Sequence, residues 1–125
     1  MAYISKTPQR GDIIYFEGSS YSDSQYLCKR VIGIPGDTIK FVNGDVYIND
    51  MKVNEAYISD EIETNSKNTF LVPNNCVFVM GDNRENSLDS RFFTNPYVSY
   101  DDIKGKYAGG FYIEPIAKLI AKKNK

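Results

Sequence analysis

The chain has 125 residues, with 15 lysines and arginines against 16 aspartates and glutamates. That length suits a single domain, residues 1–125, with a real hydrophobic core, and the near balance of charge leaves no overall field of the kind that marks a nucleic-acid binder. There is no histidine, which excludes Ser-His-Asp and Cys-His arrangements within the chain and argues against a zinc hydrolase, so hydrolytic chemistry here needs another base.

No stretch approaches the roughly 20 apolar residues that span a bilayer, and Met1-Ala2-Tyr3-Ile4-Ser5-Lys6 has no signal-peptide core, so the chain as it stands is expected to be soluble. The two cysteines, Cys28 and Cys76, sit far apart in strand-like runs and read as buried free thiols.

In chain order, Arg10-Gly11-Asp12 reads as a turn into Ile13-Ile14-Tyr15-Phe16, a short apolar strand expected to be buried on both faces. The Gly-Ser-Ser-Tyr-Ser-Asp-Ser composition that follows is that of a hairpin tip, and the chain returns through Tyr26 to Ile34. That return run is rich in β-favouring residues and ends on the turn Pro35-Gly36-Asp37. Period-2 alternation puts Lys29, Val31 and Gly33 on one face and Cys28, Arg30, Ile32 and Ile34 on the other. A lysine enclosed among apolar neighbours can give up its proton, because burial disfavours the charged form. The blander reading of Lys29 is an edge-strand charge that discourages aggregation.

Thr38 to Val42, the two-residue turn Asn43-Gly44 and Asp45 to Asn49 form the clearest hairpin, of the type I′ kind, and Asn49-Asp50 turns the chain again into Met51-Lys52-Val53. Tyr57 to Asn68 reads as an acidic surface loop. Thr69 to Val72 is a strand stopped by Pro73, and Asn74-Asn75 leads into the wholly apolar Cys76 to Met80, a central strand that delivers a polar loop to one end of the sheet. Ser99 to Asp102 reads as a capped helical turn, Tyr107 to Ile113 as a closing strand, and Pro115 onward as a short basic amphipathic helix. The expected fold class is therefore all-β, a mostly antiparallel coiled sheet with short helical pieces near the C-terminus.

The loop Gly81-Asp82-Asn83-Arg84-Glu85-Asn86-Ser87-Leu88-Asp89-Ser90-Arg91 is dense in hydrogen-bonding side chains between two apolar stretches. Asp82, Asn83 and Asn86 can cap backbone amides, and Asp89 with Arg91 can form a charge-assisted pair that sets the loop's shape.

Three stretches, Arg10 to Phe16, Lys29 to Asp37 and Gly81 to Arg91, resemble in order three sequence boxes of bacterial type I signal peptidases, over a span from about Arg10 to Gly110. The short middle segment is similar to the compact Gram-positive members. The resemblance implies Lys29 as the general base of a serine-lysine dyad and Ser87 as the hydroxyl that orients it. It also implies structural support from Asp82, Asn83, Arg84, Asp89 and Arg91, and a substrate pocket lined by Tyr15, Leu27 and Cys28. Preprotein signal peptides are the implied substrates, docking as an added strand beside Leu27. The implied location is the extracytoplasmic face of the cell membrane, with no metal, no cofactor and no nucleic-acid partner.

The family's nucleophile lies in a Ser-Met-x-Pro box behind a membrane-spanning helix, and Met1 to Gln9 contains only Ser5 without that spacing. The expectation is an N-terminally truncated fragment, itself inactive, that keeps the base and its support. A non-catalytic relative that binds or chaperones secreted or pilus subunits through the same groove is the competing reading.

Overall fold

The structure, a computed structural model, describes residues 7–22, 26–53, 64 and 66–107. Nine strands lie within that range: β1 Ile13–Glu17, β2 Tyr26–Gly33, β3 Thr38–Val42, β4 Asp45–Ile48, β5 Met51–Lys52, β6 Phe70–Leu71, β7 Cys76–Met80, β8 Val98–Ser99 and β9 Ile103–Tyr107. They form a five-stranded sheet in the order β8-β7-β2-β1-β9 and a four-stranded sheet in the order β5-β4-β3-β6. Every pairing among them is antiparallel. The all-β expectation is met. The one helical piece among the described residues is the 3-10 turn Tyr100–Asp102, capped by the Ser99 hydroxyl accepting from the Asp101 N–H.

Local sequence explains the hairpins. Asn43 and Gly44 both have positive φ, 52° and 86°, as a type I′ turn requires, and Asn49 and Asp50 repeat the pattern at 54° and 67°. Asparagine, aspartate and glycine tolerate this region better than other residues.

The larger sheet is packed on both faces. On one, Ile32, Phe78 and Met80 meet Ile39, Val46, Ile48, Phe70 and Val72 of the second sheet and its flanks. The rings of Phe70 and Phe78 lie 4.6 Å apart there. On the other face, Ile14, Phe16, Val31, Val77 and Val79 pack with Tyr21, Phe93, Val98 and Ile103. Fully burying one such aliphatic or aromatic side chain contributes about 1.5–3 kcal/mol. The Tyr21 hydroxyl donates to Asp102 and accepts from the Ser99 N–H at 3.0 Å, which fastens the first loop to the 3-10 turn.

Several expectations need correction. β1 is buried on one face only: Ile14 and Phe16 are fully enclosed, while Tyr15 between them is 45% exposed. In β2 the alternation breaks at Ile32, where the register with β7 steps from Val31↔Val79 to Gly33↔Phe78. A bulge keeps two successive residues on one side. Gly33 therefore faces Ile39 and Val72 with Ile32, and Ile34 joins the Val31 cluster, opposite to the strict period-2 assignment. Both cysteines are free as expected, but Cys28 is exposed and Cys76 only half-buried. The closing strand starts at Ile103 rather than Tyr107. The remainder of that expected strand, the expected tail helix, Ser5 and most of the acidic loop lie outside the described residues.

Candidate active site

β7 runs antiparallel to β2 as far as Met80, opposite Arg30, and the chain then leaves the sheet at Gly81. Among the described residues the rest of β2, Tyr26 to Lys29, is paired on one side only, with β1. An open strand edge thus lies beside the polar loop. Where the two meet, a small pocket of about 110 Å³ is lined by Ile13, Cys28, Lys29, Arg30, Gly81 and Asp82.

Lys29 Nζ lies 3.1 Å from Ser87 Oγ. The Gly81 N–H also donates to Ser87 Oγ at 3.1 Å and, in a shared bond, to Asp89 Oδ2 at 3.1 Å. With Ser87 Oγ already accepting from a backbone N–H, its own proton is free to turn toward the amine whenever that amine is neutral. Gly81 is required here by space. A β-carbon on it would collide with Ser87 Oγ, lie 2.8 Å from Ser87 Cβ and come within 3.3 Å of Lys29 Nζ.

Three arginine-centred groups hold this arrangement. Arg30, buried on the face of β2 opposite Lys29, makes a two-point contact with Asp82 at 2.9 and 2.7 Å and donates to the Gly11 carbonyl at 3.1 Å. Asp82 remains 42% exposed. Arg91 makes a two-point contact with Asp89 at 2.8 Å from both Nε and Nη2, with both side chains buried. Arg84 is buried as well, and its Nε donates to the Gly81 carbonyl at 2.7 Å. Asn83 is exposed and only shapes the turn, accepting from the Asn86 N–H through its carbonyl at 3.1 Å.

The three residues expected to line one pocket are divided by the strand. Tyr15 and Cys28 are register partners, both exposed, and Tyr15 stacks on Tyr26 with ring centroids 5.3 Å apart. Leu27 points the other way, half-buried against the Val31 cluster. A strand added to the open edge of β2 would meet Leu27 and Lys29 on one side and Tyr26 and Cys28 on the other.

Two residues important to the geometry were not singled out from sequence. Gly81 carried a readable signal, a glycine immediately after an apolar strand, and Thr64 carried none inside a polar acidic stretch.

The sequence model of the family described as signal peptidase, peptidase S26, matches residues 1–112. Signal peptidase I S of Bacillus subtilis (strain 168) is 41% identical over 92 residues, 66% of this chain and 48% of the relative. Signal peptidase I U of the same strain is 43% identical over 111 residues, 82% of this chain and 58% of the relative. The chain thus spans about half the length of the curated relatives it matches. Among solved structures, a signal peptidase I from Enterococcus faecalis V583 superimposes with a TM-score of 0.68 at 32% identity, covering 82% of this chain and 97% of that one.

Proposed function

The chain belongs to the signal peptidase family, peptidase S26, and on that premise we propose that it is the peptidase part of a membrane-associated serine endopeptidase that removes signal peptides from exported preproteins. The observation that carries this reading is the hydrogen bond of 3.1 Å between Lys29 Nζ and Ser87 Oγ beside an open strand edge. A module that only bound secreted subunits would use the edge but would have no need of an amine held against a hydroxyl.

In the proposed reaction the substrate docks along Tyr26 to Lys29 and its scissile carbonyl is presented at Lys29. A serine hydroxyl from the family's Ser-Met-x-Pro segment attacks the carbonyl carbon, and Lys29 takes the hydroxyl proton as the bond forms. Lys29 then passes that proton to the departing amine as the C–N bond breaks. The acyl ester left on the serine is hydrolysed by water, with Lys29 as base again. Ser87 keeps the amine aimed throughout, and the Asp89–Arg91 and Arg30–Asp82 pairs keep Ser87 and the strand in place. A small pocket at Cys28 and Gly81 favours small substrate side chains. The site works at the extracytoplasmic membrane surface, where signal peptides emerge. No helix among the described residues is long and apolar enough to cross a membrane.

The test is cleavage of a synthetic signal-peptide substrate by protein expressed from the whole gene, compared with Lys29→Ala. Cleavage that depends on Lys29 supports the reading, and equal turnover by the variant removes it.

A further inference from the structure

Gly81 is gripped through both of its peptide groups. Its N–H is shared between Ser87 and Asp89, and its carbonyl accepts from Arg84 Nε at 2.7 Å. The Arg84 guanidinium does not end there, since Nη1 reaches on to donate to Thr64 Oγ1 at 3.1 Å. Thr64 is itself only 2% exposed, and its N–H donates at 2.9 Å to the carbonyl of Gly44 in the β3–β4 turn. The Arg84 carbonyl in turn accepts from Arg91 Nη2 at 2.9 Å. A continuous hydrogen-bonded path therefore runs from the hairpin turn of the second sheet, through Thr64 and Arg84, to Gly81, and from there to Ser87 and Lys29.

We propose that Thr64 and Arg84 are positioning residues of the site, a strut that sets the plane of the Gly81 peptide and through it the contact between Ser87 and Lys29. The inference deepens the reading of Lys29 and Ser87 as base and partner, and rests on that reading for its catalytic meaning. Its physical basis is the lack of slack at Gly81. Ser87 already stands where a substituent on that glycine would be and Lys29 Nζ lies only 3.3 Å from that place, so a shift of its backbone presses on Ser87 directly and alters its contact with Lys29. Thr64 supplies an acceptor that helps to orient a buried, charged fork, and a guanidinium makes its bonds in fixed relative directions. The bond at Nη1 is one of those that hold the fork, so its loss loosens the bond from Nε to the Gly81 carbonyl. The second sheet, which presents no catalytic group, thereby becomes part of the machinery.

The experiment is amide hydrogen exchange of the chain, followed by NMR, in wild type, Thr64→Val and Thr64→Ser. Valine keeps the shape and removes the acceptor, while serine keeps the acceptor. In Thr64→Val we expect the Gly81 amide to exchange about tenfold faster, the equivalent of about one net hydrogen bond, with the Val31 and Val79 amides unchanged, and in Thr64→Ser we expect the wild-type rate. A Gly81 rate that does not change in Thr64→Val overturns the proposal, and so does a common acceleration of all three amides, which marks a general loss of stability. Should Thr64→Val not fold, the Arg84 Nε–H of the wild-type chain decides: protection supports the strut and exchange at the rate of a free guanidinium overturns it. The readout needs no turnover. A chain that proves not to be a peptidase leaves the strut standing, and a strut that fails leaves the assignment of Lys29 untouched.

Discussion

Gly81 and Ser87 are fitted so closely that the Gly81 N–H donates to Ser87 Oγ at 3.1 Å while the space a β-carbon would need on Gly81 is already taken by that same hydroxyl. The glycine is therefore a condition of the site's geometry and not merely of a turn. Its φ is not in the left-handed region, so backbone strain is not the reason for it.

Gly81→Ala is accordingly expected to leave the domain folded and to push Ser87 away from Lys29. A misplacement of about 1 Å at a catalytic group can cost on the order of a hundredfold in rate. The expected outcome is a loss of that size in kcat/KM with a small change in Tm. Activity within a factor of about two of wild type would mean that Ser87 is not needed where it stands.

Asp89 and Arg91 make the pair whose loss should cost most. Their side chains are 0% and 2% exposed, and Asp89 also accepts from the Gly81 N–H, so Asp89→Ala strands a buried guanidinium. Breaking a buried pair from one side typically costs about 3–5 kcal/mol. At the half-exposed Asp82 water compensates in part, and the loss for Asp82→Ala should be about 1–2 kcal/mol. Urea denaturation of the two variants checks the order as well as the sizes.

The strands from β1 to β7 were legible because alternation, β-branched residues and turn signals agree locally. Asn43-Gly44 in particular dictates its own turn. The bulge at Ile32 was not legible, since it exists only in the register between β2 and β7. β8 has two residues and β9 is Ile-Lys-Gly-Lys-Tyr, with a glycine where an alternating strand would carry an apolar side chain, so neither raises a strong local signal. The resemblance named the residues of the proposed site, but nothing in the local sequence gives their geometry. Lys29 and Ser87 are 58 positions apart, and their meeting depends on β7 pairing with β2 and ending at Met80. Thr64 could not have been found at all without the fold, because its contacts with Gly44 and Arg84 each reach 20 positions along the chain.

Asp37 ties the Arg10 turn to the hairpin and should govern acid stability. Arg10 contacts both its oxygens at 2.7 Å, the Asn49 amide donates at 2.9 Å and the Ile34 N–H at 3.0 Å. Burial opposes ionisation of this carboxyl, but the Arg10 guanidinium and the two further donors outweigh burial and hold it below the usual carboxylate range. A folded-state pKa below the unfolded one stabilises the fold fully above the ordinary value, about 3.9, and that stability is lost as pH falls from there through the folded value. Wild type should therefore lose stability as pH drops below about 4. Arg10→Gln should be less stable at neutral pH and show a shallower decline in acid. Denaturation midpoints between neutral and acid pH measure both. Parallel curves for the two proteins would show that the Arg10 contact does not set the Asp37 carboxyl.

Lys29→Arg is the most discriminating change at the site, because it keeps the positive charge and roughly keeps the reach. If Lys29 only neutralised a nearby charge or discouraged edge-to-edge pairing, arginine would serve equally well. A base must surrender its proton before it can take one from an attacking hydroxyl, and arginine does not deprotonate in proteins. Ser87 Oγ can receive a bond from either side chain, so the contact itself does not distinguish them. In protein expressed from the whole gene, Lys29→Arg and Lys29→Ala should therefore both lose at least about a hundredfold in kcat/KM, the scale of a positioned general base. Ser87→Ala, which keeps the amine and removes its hydroxyl partner, should lose less. Circular dichroism should show all three folded, since Lys29 makes no ion pair among the described residues and its strand is held by pairing with β1. A Lys29→Arg protein that cleaves at close to the wild-type rate would rule out Lys29 as the base and return it to the role of an edge charge.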